Sequence, residues 1–158
     1  MILVQFSPEV KGTSTVEDYK EWLEFESYSV NSTRHIHSQG GDRTLAQSHI
    51  SELVLTKGGD QTSPVLFGQA LTGKEFDNAT IVVLHAAGVK NTSQKLLSIT
   101  LTGVVVSSFA TSCVTNSRPD EHLALSFKKI EYKYMCFDGS ASKGDARMGY
   151  DVIAKKCF

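Results

Sequence analysis

Leu97-Ser98-Ile99-Thr100-Leu101-Thr102 alternates apolar and polar residues without a break, and Gly103-Val104-Val105-Val106-Ser107-Ser108 follows directly. A period of two places Leu97, Ile99 and Leu101 on one face and Ser98, Thr100 and Thr102 on the other, the pattern of a strand with one buried and one wet side. Gly103 lacks a Cβ, so the strand is expected to kink or bulge there before Val104 to Cys113 continues it.

The same period recurs on both sides of this segment. Met1 to Phe6 is a short apolar run that reads as a first strand, and within Trp22 to Tyr28 the residues Leu23 and Phe25 alternate with Glu24 and Glu26. Ile50 to Lys57 and Asn78 to Ala87 are further strands, the latter followed by a turn over Gly88 to Thr92. A polar turn at Thr115 to Asp120 precedes Leu123, Leu125 and Phe127; the pair Lys128-Lys129 then shifts the phase so that Ile130, Tyr132 and Tyr134 point together. A β-bulge is the expected cause. Ser29 to Gln47 and Phe137 to Arg147 read as loops, and Tyr150 to Cys157 as a last strand.

One helix interrupts the strands. Gly58-Gly59-Asp60 turns the chain, Ser63 is placed as N-cap and Pro64 opens the helix, where its missing N–H is harmless. Val65, Leu66, Phe67, Ala70 and Leu71 supply an apolar face, Gly73 terminates it, and the spacing predicts a helix over 64–72. The expected fold is mainly β: a single domain over residues 1–158, a β-barrel of about eight mostly antiparallel strands with this short α-helix packed on it.

Sixteen basic residues face seventeen acidic ones for a formal net charge of -1, and no segment is basic enough to track a phosphate backbone. Nucleic acid is not an expected partner. No apolar run approaches the roughly 20 residues of a membrane helix, so no membrane insertion is expected. The N-terminus lacks the charge, apolar length and cleavage site of a secretory signal, so any export is expected to proceed without a cleaved signal peptide.

Catalytic and metal chemistry is absent from the motifs. His35 and His37, with Asp42 nearby, could offer two imidazoles and a carboxylate, but no third ligand is identifiable as positioned beside the two imidazoles, and Cys113, Cys136 and Cys157 have no zinc spacing, so no metal and no cofactor is expected. The three cysteines are expected as reduced thiols. Cys113 with His85 or His122 carries no nucleophile signature, and neither a nucleophile elbow nor a phosphate loop occurs, so the chain is not expected to be an enzyme.

Leu53-Val54-Leu55-Thr56-Lys57, then Asp60, then Thr62-Ser63-Pro64-Val65-Leu66 resembles the Hcp family of type VI secretion proteins. Leu101 to Ser108, Glu121 with Phe127-Lys128-Lys129-Ile130 to Tyr134, and Gly149-Tyr150-Asp151 to Lys155 resemble further family segments in the same order. Gly12-Thr13-Ser14-Thr15 and Glu26-Ser27-Tyr28-Ser29 depart from the family pattern. The resemblance implies a structural tube subunit, made in the bacterial cytoplasm and then secreted, that assembles into homohexameric rings. Stacked rings would form the tube that a contractile sheath drives, under a spike protein, into a neighbouring cell, with cargo effectors held in the lumen. It also implies that the long polar segment contacts the next ring, which nominates Ser32, Arg34, His35, His37, Gln39, Gly40, Gly41, Asp42 and Arg43. Asp60, Ser63 and Pro64 are expected to be structural, as the corner and cap of the helix. The alternative from the residues alone is a monomeric β-barrel that binds a small ligand in its mouth.

Overall fold

The chain folds in the order β1 (Ile2–Ser7), β2 (Leu23–Phe25), β3 (Ser27–Ser29), β4 (Ser32–Gln39), β5 (Asp42–Ile50), β6 (Leu53–Gly58) and α1 (Ser63–Thr72). Then follow β7 (Phe76–Ala87), β8 (Thr92–Ser112), β9 (Asp120–Ser126), β10 (Lys129–Asp138), β11 (Ala141–Asp151) and β12 (Lys156–Cys157). The structure is a computed structural model that describes residues 1–87, 92–139 and 141–158. Residues 88–91 of the turn expected over Gly88 to Thr92 lie outside them. The protein is mainly β with one short helix, as its alternation dictates.

β8 organises the sheets. Its first half pairs with β7 on one edge and with β10 on the other, in the register Leu101 to Ile130 and Thr102 to Lys129. Its second half pairs with β9, Val105 opposite Ser126. The change of partner happens at Gly103, whose φ of +63° an L-residue rarely adopts. A Cβ there would also lie 2.6 Å from the Lys128 side chain. The phase shift expected as a bulge at Lys128-Lys129 is instead a full interruption between β9 and β10, set opposite Gly103, with the Lys128 N–H donating to Thr102 O at 2.9 Å. The long ribbon therefore bends on both of its strands at one level. The actual bulge in this ribbon falls between Val106 and Ser108.

All strand pairs are antiparallel. One run reads β12-β11-β10-β8-β7-β1-β2, and a branch continues from β8 through β9 and β6 to β3. β2 and β3 are separated only by Glu26, whose N–H donates to Thr56 O of β6 at 2.8 Å. The single strand expected over Trp22 to Tyr28 is thus two pieces, one serving each sheet, and Trp22 itself precedes them in a loop.

Among the described residues twelve strands are assigned where about eight were expected. The excess comes from the split strands and from hairpin arms that carry no apolar alternation. Ser29 to Gln47, expected to be irregular, holds all of β4 and most of β5, and most of Phe137 to Arg147 lies in β10 and β11. The last strand expected over Tyr150 to Cys157 is broken by a turn, β11 ending at Asp151 and β12 starting at Lys156.

The core forms where the apolar faces of the two sheet branches meet. Val4, Phe6, Leu23, Leu53, Leu55, Ile81, Ile99, Leu101, Val104, Leu123 and Leu125 are packed there out of solvent. Phe6 and Phe76 stack with ring centroids 4.7 Å apart. On the opposite face of β1 and β7, Leu3, Val82 and Leu84 are covered by Val16, Tyr19 and Trp22. β1 is therefore buried on both sides over Leu3 and Val4, which explains the consecutive apolar residues Ile2-Leu3-Val4.

α1 lies against β8 through Leu66, its one fully buried residue. It ends where Gly73, at φ +64°, donates its N–H to Gln69 O at 3.0 Å.

Candidate functional surface

The segment nominated for contact between rings is a projecting hairpin. β4 and β5 pair only with each other, in a two-stranded sheet separate from the rest. Gln39 stands opposite Asp42, so Gly40 and Gly41 are the two central turn residues, with φ of +61° and +92°. Positive φ at both positions is what a tight hairpin whose twist matches its strands requires, and glycine meets it without strain.

Ser32, Arg34, His35, His37 and Gln39 lie along β4, every residue of which is exposed. Asp42 and Arg43 open β5, Arg43 opposite Ser38 and His37 opposite Thr44. A register shift between Arg34 and Ile36 falls at His35. Sequence reasoning nominated the polar residues and missed the apolar pair. Ile36 and Leu45 face each other across the hairpin and are 54% and 60% exposed. They give the arm a small apolar contact point open to water.

The helix corner is a buried ionic knot. The Lys57 ammonium, 2% exposed, lies 2.9 Å from Asp60 Oδ1 and 2.9 Å from Glu121 Oε2. The Glu121 contact is an ion pair, and Glu121 Oε2 accepts no hydrogen bond among the described residues. Lys57 also donates to Gly58 O at 3.3 Å and to Ser63 Oγ at 3.4 Å. Asp60 Oδ1 accepts from the Thr62 N–H at 2.8 Å and the Thr62 hydroxyl at 2.5 Å, while the Asp60 N–H donates to Ser63 Oγ at 3.0 Å.

The N-cap position falls on Thr62, not Ser63, which is the first helical residue. The physical reason is that Ser63 turns its hydroxyl back to Asp60 and Lys57, leaving Asp60 to close the corner. Pro64 stands in the first turn, where its lack of an N–H costs no helical bond.

Burial alone would raise the Asp60 carboxyl, but hydrogen bonds from Thr62 and Lys57, with the Lys57 charge, outweigh it and hold the group below its ordinary 3.8. A carboxyl depressed on folding contributes stability that is fully present above its unfolded pKa and is lost as pH falls through the folded one. The urea midpoint is expected to fall on acidification below about pH 4, and Asp60→Asn is expected to flatten that limb. An unchanged acid slope in the variant would remove Asp60 from this role.

The cysteines Cys113, Cys136 and Cys157 are all free and exposed. Cys113 Sγ donates to Ser117 O at 3.2 Å and Val114 O at 3.4 Å. Among the described residues no cluster of His, Cys, Asp or Glu has the makings of a metal site. No helix of the described residues is long and apolar enough to cross a membrane.

The family model described as "Type VI secretion system effector, Hcp" matches residues 4–134. The chain is a member of the Hcp family. As an Hcp protein it is a structural, secreted tube subunit of type VI secretion. No curated protein matches this Hcp chain by sequence. Solved structures similar to it include a type six secretion system protein, 24% identical with a TM-score of 0.89 over 99% of this chain and 98% of the other. Hcp1 from Salmonella typhimurium is 22% identical with a TM-score of 0.81, covering 99% and 97%. A type VI secretion system effector from Yersinia pestis is 20% identical with a TM-score of 0.73, covering 96% and 100%. At these identities the structural likeness carries the fold, and the family model carries the membership.

Proposed function

We propose that this Hcp chain is one closed β-barrel domain over residues 1–158 that assembles into homohexameric rings, and that the β4–β5 hairpin joins each ring to the next. Closure is supported by β2 and β3, consecutive pieces of one strand that end the two arms of the sheet path. The observation that carries the stacking role is the hairpin's isolation. A two-stranded sheet is marginally stable alone in water, and this one exposes Ile36 and Leu45 at its middle. Docking on another copy supplies the burial it lacks.

Rings stacked through such arms make a tube around which a sheath contracts, with a spike protein at its tip and effector cargo in the lumen. The role is mechanical, with no catalytic step and no cofactor. Self-assembly of this kind needs complementary flanks that close by rotation, and a net charge of -1 offers little repulsion between copies.

Replacing residues 36–45 with a short glycine turn is expected to leave single rings intact while abolishing tubes in electron micrographs. Full-length tubes from the trimmed protein would overturn the assignment of the hairpin.

A further inference from the structure

A groove of about 520 Å³ runs between the base of the β4–β5 hairpin and the β10–β11 sheet. That volume lies within the range of sites that enclose a compact ligand segment. Ile50, Ile130, Tyr132 and Met148 are among its apolar lining residues. Tyr132 and Met148 remain 42% and 61% exposed, so the apolar lining is open to a partner.

The charge of the lining is one-sided. Arg34, His49, Lys155 and Lys156 line the groove and no carboxylate does. Arg34 and Lys156 make no ion pair among the described residues. Asp151, on the strand that supplies Met148, turns instead to the backbone N–H groups of Ile153 and Ala154 and to Lys129. Lys155 is positioned by its bond to Gln47 Oε1 at 3.0 Å, from the turn across to β5. By contrast the smaller cavity beside α1, about 290 Å³, is rimmed by both signs through Glu9, Lys11, Lys74 and Glu75.

An apolar lining with several cations and no acid is complementary to a chain that alternates carboxylates with large apolar side chains. We propose that this groove docks an acidic, apolar peptide segment of a partner protein. Carboxylates would pair with Arg34 and Lys156, and apolar side chains would pack on Tyr132 and Met148. Exposed charges around an apolar centre set specificity and encounter rate, while the apolar contacts hold the complex. The groove is lined by residues of a single chain, and Arg34, also nominated for contact between rings, would serve the peptide where the hairpin is not engaged by the next ring.

The test is fluorescence anisotropy with a labelled synthetic peptide of alternating Asp and Leu or Phe, compared with a matched peptide carrying Asn for Asp. The acidic peptide is expected to bind saturably, more weakly with added salt, and at least about tenfold more tightly than the Asn peptide. The doubly substituted R34E/K156E protein and, separately, Met148→Asp are each expected to lose about tenfold, with unchanged circular dichroism. Absence of saturable binding overturns the proposal, as does equal binding by R34E/K156E. Size-exclusion chromatography of the same variants distinguishes the remaining case. If R34E/K156E turns an oligomer into monomers and the native protein binds no peptide, the groove is a contact between copies and the proposal is wrong.

Discussion

Lys57→Met is expected to lower the unfolding free energy by about 3–5 kcal/mol, seen as a large fall in the urea midpoint. The ammonium is buried between two carboxylates, each 2.9 Å away. Methionine fills much of the lysine stem's volume, so packing changes little. What changes is that Glu121, itself only 4% exposed, keeps a negative charge with no cation beside it. Asp60 retains its bonds from Thr62, so most of the penalty falls on Glu121.

The mechanism has its own control. Adding Glu121→Leu to Lys57→Met removes the stranded charge and is expected to recover part of the loss, since apolar replacement of a whole buried ion pair is often close to neutral. A loss under about 1 kcal/mol in Lys57→Met would mean that the site behaves like a solvated surface pair. The position of the knot gives it structural reach, because it ties β6 to β9 and to the entry of α1.

Leu66→Ala is the second large effect, expected at about 3 kcal/mol, within the range for truncating a buried leucine. Leu66 is the one fully buried residue of α1, whereas Val65, Phe67 and Leu71 are exposed; half-buried Ala70, a Phe67–Phe109 edge contact at 6.0 Å and the Ser63 bonds at the helix entry supplement the anchor. Removing the anchor should therefore release the helix as a unit. Amide exchange is expected to accelerate in α1 beyond its rise in β8. Leu71→Ala, at a position 72% exposed, is expected to change the monomer's stability by no more than about 0.5 kcal/mol. Equal effects at the two leucines would contradict this account of how the helix is held.

What could be read from the sequence follows from where water lies on each strand. Leu97 to Leu101 and Leu123 to Phe127 have one face in the core, so alternation marks them without ambiguity. Pro64 and Gly73 bracket the helix because proline and glycine have narrow backbone roles. β4 and the outer parts of β5 and β11 are wet on both faces, so they carry no sustained apolar period and resemble loops. Gly40-Gly41 is the available signal, a two-residue hairpin turn, but close to it the arms carry only Ile36 and Leu45 as large apolar residues and no apolar alternation that would mark them as strands.

Other features depend on contacts between distant segments. Nothing local to Lys57 or Glu121 marks them for burial; only the pairing of β6 with β9 brings them together. Tyr132 and Tyr134 were legible as one face of a strand, but not as a surface left open beside the base of a hairpin about a hundred residues earlier in the chain. The contact role of the hairpin came from family resemblance, and its exposed Ile36–Leu45 pair came from the register.

Negative-stain electron microscopy of the purified full-length chain, with light scattering on the same sample, tests self-assembly most directly. Hexameric rings with an open centre, stacking face to face into tubes as concentration rises, are the result expected of this tube subunit. A strict monomer at high concentration, with no ring in the micrographs, would contradict it.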